Sequence, residues 1–183
     1  MQNPEKEQLV IEINKAKPED AEEINNVYYK TWLDTYPNEE IGITVEDIED
    51  SFKDSFSKEY LDQVREKIME TTGKAMRLVA KKDDLIVGVA TMARNEDNNQ
   101  LRTIYVLPEF QGQGVGKKLW TEAKKFCDPT KDIIVNVAVY SQKTIEFYKN
   151  IGFEDTGKRF TDEQFKTKSG AVIPEMEMVI KAE

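Results

Sequence analysis

Histidine is absent from the 183-residue sequence, and cysteine occurs once, as Cys127. The missing histidine excludes Ser-His-Asp and Cys-His catalysis, together with histidine-bound zinc and iron. The single cysteine excludes an internal disulfide and a cysteine zinc cluster. We therefore expect no metal site. An enzyme of this composition has to use tyrosine, carboxylates, backbone amides or a bound organic cofactor.

Long hydrophobic runs are also missing. No stretch approaches the roughly 18 apolar residues of a membrane helix, and the segment from Met1 to Glu7 does not have the pattern of a signal peptide. Basic side chains are outnumbered, with 26 Lys and Arg against 35 Asp and Glu, which gives a net charge of −9. Because nucleic-acid binding needs a basic face, we expect no nucleic-acid partner. Because the sequence has no membrane helix, no signal peptide pattern and a single cysteine, we expect a cytoplasmic protein with no membrane partner.

Length and composition fit a single domain. The chain falls within the span of about 100–200 residues typical of one domain. Its 39% hydrophobic and 9% aromatic residues suffice for a core. We expect one domain over 1–183, with an N-terminal strand and helices over 1–75, a core over 76–158 and a C-terminal strand region over 159–183.

Hydrophobic spacing predicts one strand and three helices in the N-terminal part. Pro18 and the acids after it are typical of a helix start, and Thr44 with Asp47 forms a capping-box pattern. The expected elements are a strand over 8–13, a helix from 18 to a loop at 32–37, a short helix after 44, and a helix from 57 to about 73.

The chain from Met76 onward alternates strands with helices. The expected elements are a hairpin of strands at 77–80 and 85–91, a strand over 101–106, a helix from 115, a strand over 133–139, a helix over 141–151, and strands over 153–158 and 172–180. This order contains two strand–helix–strand units and predicts the α+β class. Pro174 predicts an edge or bulge position for the last strand.

A glycine-rich turn lies between the strand that ends at Val106 and the next helix. Gly112, Gly114 and Gly116 are three of the chain's nine glycines. Glycine permits positive φ and close approach of a ligand, and the start of a helix carries unpaired amides and partial positive charge. Four lysines against one glutamate between Gly114 and Lys125 give this segment a local charge of +3. The pattern predicts a phosphate-bearing ligand.

The spacing of the turn disfavours two common phosphate ligands. It matches neither Gly-x-x-x-x-Gly-Lys-Ser/Thr, which binds nucleotide triphosphates, nor Gly-x-Gly-x-x-Gly, which binds dinucleotides. The remaining alternative is a tight turn without a ligand. Such a turn would need neither three glycines nor the lysines.

Two segments resemble signatures of the GNAT superfamily of N-acetyltransferases. The segment from Leu101 to Gly116 resembles the family's motif A, with its core at Gln111, Gly114 and Gly116, and 147–153 resembles the family's Tyr-x-x-x-Gly-Phe element. The resemblance implies acetyl-CoA as the donor. It also implies a GNAT-like mixed, mostly antiparallel central sheet of six to seven strands, flanked by helices and splayed at the acetyl-CoA site.

The resemblance also implies roles for individual residues. Amides of the turn would bind the pyrophosphate, and the strand ending at Val106 would pair with the pantetheine arm and polarise the thioester carbonyl. Tyr148 would be the catalytic acid for the departing thiolate, although its helical spacing with Ile145 and Ile151 also fits a core tyrosine. The implied cofactor-binding residues are Ile104, Tyr105, Val106, Gln111, Gly112, Gln113, Gly114, Val115, Gly116, Lys117 and Ser141.

The sequence departs from the family pattern at two positions. Many members carry glutamate where this chain has Gln100, and that glutamate helps to deprotonate the acceptor amine. Glutamine cannot act as a base, so Glu96 and Asp97 in the preceding loop are the alternatives. Ser141 stands where asparagine is common, and its hydroxyl can still bind the pantetheine arm.

The family resemblance assigns the acceptor to the N-terminal loop and helices. Trp32 and Tyr36 are the candidate substrate-binding residues, and aromatic rings beside carboxylates suit a cationic amine. We therefore expect a small amine such as a polyamine, or a peptide amine, as acceptor; a solvated acidic face is the alternative. Gln100 leaves open a second function, that of a non-catalytic acyl-CoA sensor or protein-interaction module. A homodimer is the default expectation for an oligomer.

Overall fold

The computed structural model describes residues 10–70, 73–163 and 166–182. The helices are α1 (Ala21–Thr35), α2 (Val45–Phe52), α3 (Lys58–Met69), α4 (Val115–Lys124) and α5 (Gln142–Asn150). The strands are β1 (Glu12–Lys15), β2 (Ala75–Lys82), β3 (Leu85–Arg94), β4 (Asn99–Val106), β5 (Ile133–Ala138), β6 (Glu154–Thr161) and β7 (Pro174–Ile180). In these ranges no helix has the length and apolar character needed to cross a membrane.

The strands form one seven-stranded sheet in the order β1-β2-β3-β4-β5-β7-β6. Every neighbouring pair is antiparallel except β4 and β5, which are parallel. Helix α4 connects these two strands, as a parallel crossover requires. The mixed, mostly antiparallel sheet expected from the family resemblance is confirmed.

The sheet is splayed between β4 and β5. The two strands pair only at Asn99 with Ile133 and Gln100 with Ile134. Because parallel strands run in the same direction, they start together and separate toward their carboxyl ends. Strand β4 also bulges at Arg102, since Leu101 pairs with Met92 and Thr103 pairs with Thr91. The predicted splay is therefore present, and it opens a gap along the second half of β4.

Helices cover both faces of the sheet. On one face, Tyr28 of α1 meets the Tyr105 ring edge-on, with ring centroids 5.3 Å apart. On the other face, Leu119 of α4 lies 3.0 Å from the position that a Cβ on Gly88 would occupy. Both faces of β3 are buried by this arrangement. The gap in the sheet therefore has helices on both sides.

The N-terminal elements match the expectations with three differences in their bounds. Helix α3 ends at Met69 rather than near 73. Helix α1 continues through Thr35 rather than ending in a loop from 32, because Trp32 packs against Tyr36 and the helical bond from the Tyr36 amide to the Trp32 carbonyl is kept at 3.0 Å. Strand β1 spans Glu12–Lys15, later than the expected 8–13, of which residues 8 and 9 lie outside the described ranges. The capping box before α2 is present, with the Asp47 amide 3.1 Å from the Thr44 hydroxyl oxygen.

Pro174 does not mark an edge strand. Strand β7 lies between β5 and β6, and Pro174 is its first residue. Its carbonyl accepts a 3.0 Å bond from the Val139 amide, and the first position of a strand tolerates proline because no N–H is needed there. The irregular pairing lies in β6 instead, between Asp155 and Arg159.

Candidate active site

A cleft of about 700 Å³ lies where β4 and β5 separate. Its walls come from the end of α1, the second half of β4, the glycine turn, the end of β5 and the length of α5. The predicted site residues that line it are Tyr36, Ile104, Tyr105, Val106, Gln111, Gly112, Gly114, Gly116, Lys117, Ser141 and Tyr148. Residues from distant parts of the sequence thus meet in one cavity.

Three predicted site residues do not line this cleft. Val115 is buried in the core beneath α4. The Gln113 side chain donates a 2.8 Å hydrogen bond to the Glu109 carbonyl, outside the cleft. Trp32 contacts the cleft only through another residue, because its indole N–H binds the hydroxyl of Tyr105, which does line the cavity.

The start of α4 presents unpaired amides to the cleft. Gly114 is the N-cap residue with φ +81°, and no side chain caps this end. The first helical bond runs from the Lys118 amide to the Gly114 carbonyl at 3.0 Å, which leaves the amides of 115–117 without helical partners. By contrast, Thr44 and Ser57 cap α2 and α3 with their side chains. An anion is the group that such an open helix start binds best.

The three glycines of the turn have two different roles. Gly112 and Gly114 have φ of +71° and +81°, and no atom lies within 4 Å of where a Cβ would stand. Gly116 has no positive φ. A Cβ on Gly116 would lie 3.2 Å from the Phe147 ring. The first two glycines therefore shape the turn, and the third lets α5 pack closely against α4.

Gln111 and Lys143 connect the glycine turn to β4 on one side of the gap and to α5 on the other. The Gln111 side-chain amide donates to the Val106 carbonyl at 3.0 Å, and its carbonyl oxygen accepts from the Lys143 ammonium. Lys143 is not among the residues that the sequence predicts for the site, because nothing near it in the sequence distinguishes it from other exposed lysines. In the fold it joins Lys117 at the anion-binding end of the cleft.

Tyr148 is buried, yet its side chain lines the cleft. Its ring meets Phe147 and Phe153 edge-on, each with centroids 5.5 Å apart. Within the described ranges, its hydroxyl has no hydrogen-bond partner. Burial, and to a lesser extent the nearby Tyr105, raises the pKa of Tyr148 above its usual value of 10.0. The phenol is therefore protonated at neutral pH, with a hydrogen to donate.

A chain of aromatic hydroxyl groups forms the opposite end of the cleft. The Tyr105 hydroxyl accepts from the Trp32 indole N–H at 3.2 Å and lies 3.3 Å from the Tyr36 hydroxyl. Since an indole can only donate, Tyr105 has its own proton free for Tyr36. The Tyr140 hydroxyl donates to the Tyr36 backbone carbonyl at 3.0 Å. Burial raises the pKa of Tyr36 and Tyr105, which keeps both neutral.

Comparison with known proteins assigns the chain to a family. Residues 32–168 match the model of the acetyltransferase (GNAT) domain. The chain belongs to the GNAT acetyltransferase family. It is thus an acyltransferase that uses acetyl-CoA to acetylate an amine, as the two sequence signatures predicted.

Relatives and solved structures agree with this assignment. A spermidine N(1)-acetyltransferase of Thermoplasma acidophilum is 30% identical over 156 residues, which are 81% of this chain and 92% of the relative. The PaiA N-acetyltransferase of the same organism, crystallised with coenzyme A, has a TM-score of 0.72 at 23% identity and covers 94% of this chain and 99% of its own. A GNAT acetyltransferase of Streptococcus pneumoniae has a TM-score of 0.69 at 17% identity, with 94% and 99% covered.

The carboxylates nearest to Gln100 in the acetyltransferase sequence lie away from the cleft. Gln100 pairs with Ile134 where β4 and β5 are still joined. It lies six residues, or about 20 Å of strand, before Val106. Glu96 and Asp97 precede it in the β3–β4 connection, and neither lines the cavity. The structure therefore gives no support to either acid as the group that deprotonates the amine.

The wall that α1 contributes carries polar groups without partners. Asp34 lines the cleft and makes no hydrogen bond or ion pair with other described residues. Thr31 lies one helical turn earlier and also lines the cleft. Its hydroxyl is buried and unpaired in the described structure, although a helical threonine usually bonds to a carbonyl in the preceding turn. The Asp34 side chain is exposed and therefore available to a ligand, whereas the Thr31 hydroxyl is buried.

Proposed function

We propose that this acetyltransferase acts on a small cationic amine of the polyamine class, with Tyr148 assisting release of the thiolate. The observation that carries the proposal is the unpaired Tyr148 hydroxyl inside the gap between β4 and β5. Open amides lie at one end of the same cleft, and an aromatic, acidic wall lies at the other. The similarity to a spermidine N(1)-acetyltransferase supports the acceptor class.

The donor would lie between α4 and α5. The free amides of 115–117 would bind the diphosphate, with the Lys117 and Lys143 ammonium groups beside it. The pantetheine arm would follow the edge of β4 beyond Gln100, where no strand of the described structure pairs. A main-chain amide of that edge would donate to the thioester carbonyl and stabilise the oxyanion.

The chemical step would be a direct attack by the neutral amine on the thioester carbon. The new C–N bond forms, the C–S bond breaks, and its electron pair goes to the sulfur of coenzyme A. The nitrogen loses one proton to solvent water, and the thiolate of coenzyme A takes up a proton in turn, so that the products are an amide and a thiol. A thiol has a pKa near 8.5 and a free phenol near 10, so complete proton transfer from an ordinary phenol is uphill by about 2 kcal/mol. Burial makes Tyr148 a weaker acid still. Tyr148 would therefore donate a hydrogen bond to the developing thiolate.

The acceptor would enter along α1. The Tyr36 ring and the Asp34 carboxylate both line that end of the cleft, and together they favour an ammonium-bearing molecule. Trp32 would serve by holding Tyr105, since its indole binds the Tyr105 hydroxyl.

An amine panel assayed for release of free coenzyme A tests the proposal. We expect the highest kcat/KM with spermidine or putrescine, and lower values with a lysine-containing peptide. Tyr148→Phe should lower kcat about 100-fold or more, the loss expected for one hydrogen-bond donor to a developing negative charge, and should leave acetyl-CoA affinity unchanged.

Tyr60→Phe is the matched control, because Tyr60 lies exposed on α3 away from the cleft. A Tyr148→Phe enzyme as fast as the wild type would remove Tyr148 from the mechanism. Acetyl-CoA binding without turnover of any amine would favour the alternative sensor function.

A further inference from the structure

Glu175 is a carboxylate on the acceptor side of the sheet. It lies on β7 and pairs with Ala138, the last residue of β5. Ala138 itself lines the cleft and packs in a small apolar cluster with Ile43 and Ile173, on the side that α2 covers. Directly opposed residues in a sheet point to the same face. Glu175 therefore points to the face on which the acceptor end of the cleft is built.

The cations near Glu175 are already paired with other carboxylates. The Lys158 ammonium lies 2.9 Å from the carboxylate of Glu177, two residues along the same strand. The Arg159 guanidinium binds Asp155 at 2.7 Å. In the described ranges, the Glu175 carboxylate forms no hydrogen bond and no ion pair. Two carboxylates on one face of one strand thus differ, since Glu177 has a cation and Glu175 does not.

The surroundings of Glu175 are aromatic and negative. The charge of Glu175 contributes to raising the pKa of both Tyr36 and Tyr140, after the larger effect of burial. Burial and then the charge of Asp162 raise the pKa of Glu175 itself. A half-buried carboxylate between phenol rings and a second acid favours a cation, because it gains both charge pairing and a cation–π contact.

Ala138 connects the surroundings of Glu175 to the reacting centre. Ala138 lines the same cleft as Tyr36 and Tyr148. Glu175 lies beside Ala138 on the neighbouring strand and lines a second groove together with Val139, the residue after Ala138. A chain that passes Tyr36 can therefore have one end at the Tyr148 hydroxyl and the other near Glu175. A monoamine can fill only the first of these positions. A diamine or polyamine can fill both.

We propose that Glu175 binds the distal ammonium of a diamine or polyamine whose other amine faces Tyr148. This inference rests on the proposed function, because it requires an amine acceptor in the cleft. It makes Glu175 a residue that determines acceptor specificity, with no part in proton transfer. Neither sequence signature includes this residue.

Putrescine and butylamine provide the test, because they share a carbon chain and differ in the second ammonium. Glu175→Gln should raise the KM for putrescine about tenfold or more, the loss expected for one charged hydrogen bond. The KM for butylamine and both kcat values should stay unchanged. Glu177→Gln, the matched control on the same strand, should change neither KM. Glu175→Asp keeps the charge and should retain the preference for putrescine.

Equal changes for both amines, or none, in Glu175→Gln would overturn the inference. Calorimetry of putrescine with the coenzyme A complex separates this inference from the proposed function. If putrescine binding depends on Glu175 but no amine is acetylated, the inference stands and the proposed function fails. If amines are acetylated with a KM independent of Glu175, the proposed function stands and the inference fails. Wild-type affinity for coenzyme A shows that each variant is folded.

Discussion

The two ends of the cleft are built from different parts of the chain. The donor end uses main-chain amides of one short segment, 115–117, and needs few side chains besides two lysines. The proposed acceptor end draws on side chains from α1, β4 and the β5–α5 connection, which are remote from one another in the sequence. Our inference adds Glu175 of β7. Main-chain amides suit coenzyme A, the part of the donor that is always the same. Side chains can differ between enzymes that use different acceptors.

The two ends also differ in charge. Unpaired amides and two ammonium groups make the donor end positive, whereas Asp34 and Glu175 make the acceptor side negative. An anionic donor and a cationic acceptor would therefore be attracted to opposite ends, with their reactive groups meeting near Tyr148. The net charge of −9 has the same sign as the acceptor side, and the +3 of the α4 segment is a local exception.

Among the variants that separate the two ends of the cleft, Gly114→Ala should have the largest effect. A residue with a Cβ in the left-handed region costs about 1–2 kcal/mol, and relief of that strain would turn the amides away from the diphosphate. We expect the KM for acetyl-CoA to rise about tenfold, while the KM for the amine stays the same. Steady-state kinetics with each substrate varied in turn measures this separation.

Gly157→Ala is the control for backbone strain. Gly157 has the same φ of +81° and the same open space around it, but it lies on β6. The Gly157→Ala variant should lower the melting temperature as much as Gly114→Ala does, without changing the KM for acetyl-CoA. Equal effects of the two variants on that KM would contradict the main-chain account of the donor end.

The donor end follows from the sequence because its geometry is local. Glycines before a lysine-rich helix predict an open helix start wherever the rest of the chain lies. The same locality explains the residues that do not line the cleft. A contiguous motif does not reveal that Val115 faces the core or that Gln113 binds Glu109. Lys143 reaches the turn only because α5 packs on α4 at Gly116.

The acceptor end could be predicted only in outline. Aromatic content near acids made Trp32 and Tyr36 candidates, but only Tyr36 lines the cleft, and Trp32 contacts Tyr105. Glu175 and Tyr140 come together because β7 inserts between β5 and β6. Strand order of this kind depends on long-range packing, which hydrophobic periodicity does not encode. The continuation of α1 through Thr35 has the same origin, in the contact between Trp32 and Tyr36.

Trp32→Phe sharpens the comparison from the acceptor side. The ring is kept in part, but the N–H that holds the Tyr105 hydroxyl is lost. One hydrogen bond contributes about 0.5–1.5 kcal/mol, so kcat/KM for the amine should fall about 2- to 10-fold. The KM for acetyl-CoA should stay unchanged. Tyr29→Phe on the same helix is the control, because in the described structure the Tyr29 hydroxyl makes no hydrogen bond. A larger effect on acetyl-CoA than on the amine would contradict the division of roles.

The smallest effect on activity is expected from Asp47→Asn, although Asp47 belongs to the acid-rich N-terminal region. Its carboxylate accepts from Thr44 at 3.0 Å and from the Ser169 amide and hydroxyl at 2.8 Å, and so fixes the start of α2 to the segment before β7. These bonds, the Thr44 amide first, lower the pKa of Asp47 from 3.8 to about 2. Because the folded-state pKa is the lower one, the unfolded chain takes up the proton first. The stabilisation is therefore complete above about pH 4 and is lost as the pH falls to about 2.

Urea unfolding at pH 7 should show Asp47→Asn less stable by about 1–2 kcal/mol, as for other lost caps and buried acceptors. The difference from the wild type should shrink toward pH 2, and kcat should not change. Glu46→Gln, at an exposed neighbouring position, should cost less than about 0.5 kcal/mol. If Asp47→Asn instead raised the KM for polyamines without loss of stability, Asp47 would be part of the acceptor site. The negative charge that attracts the amine would then extend from α1 onto α2.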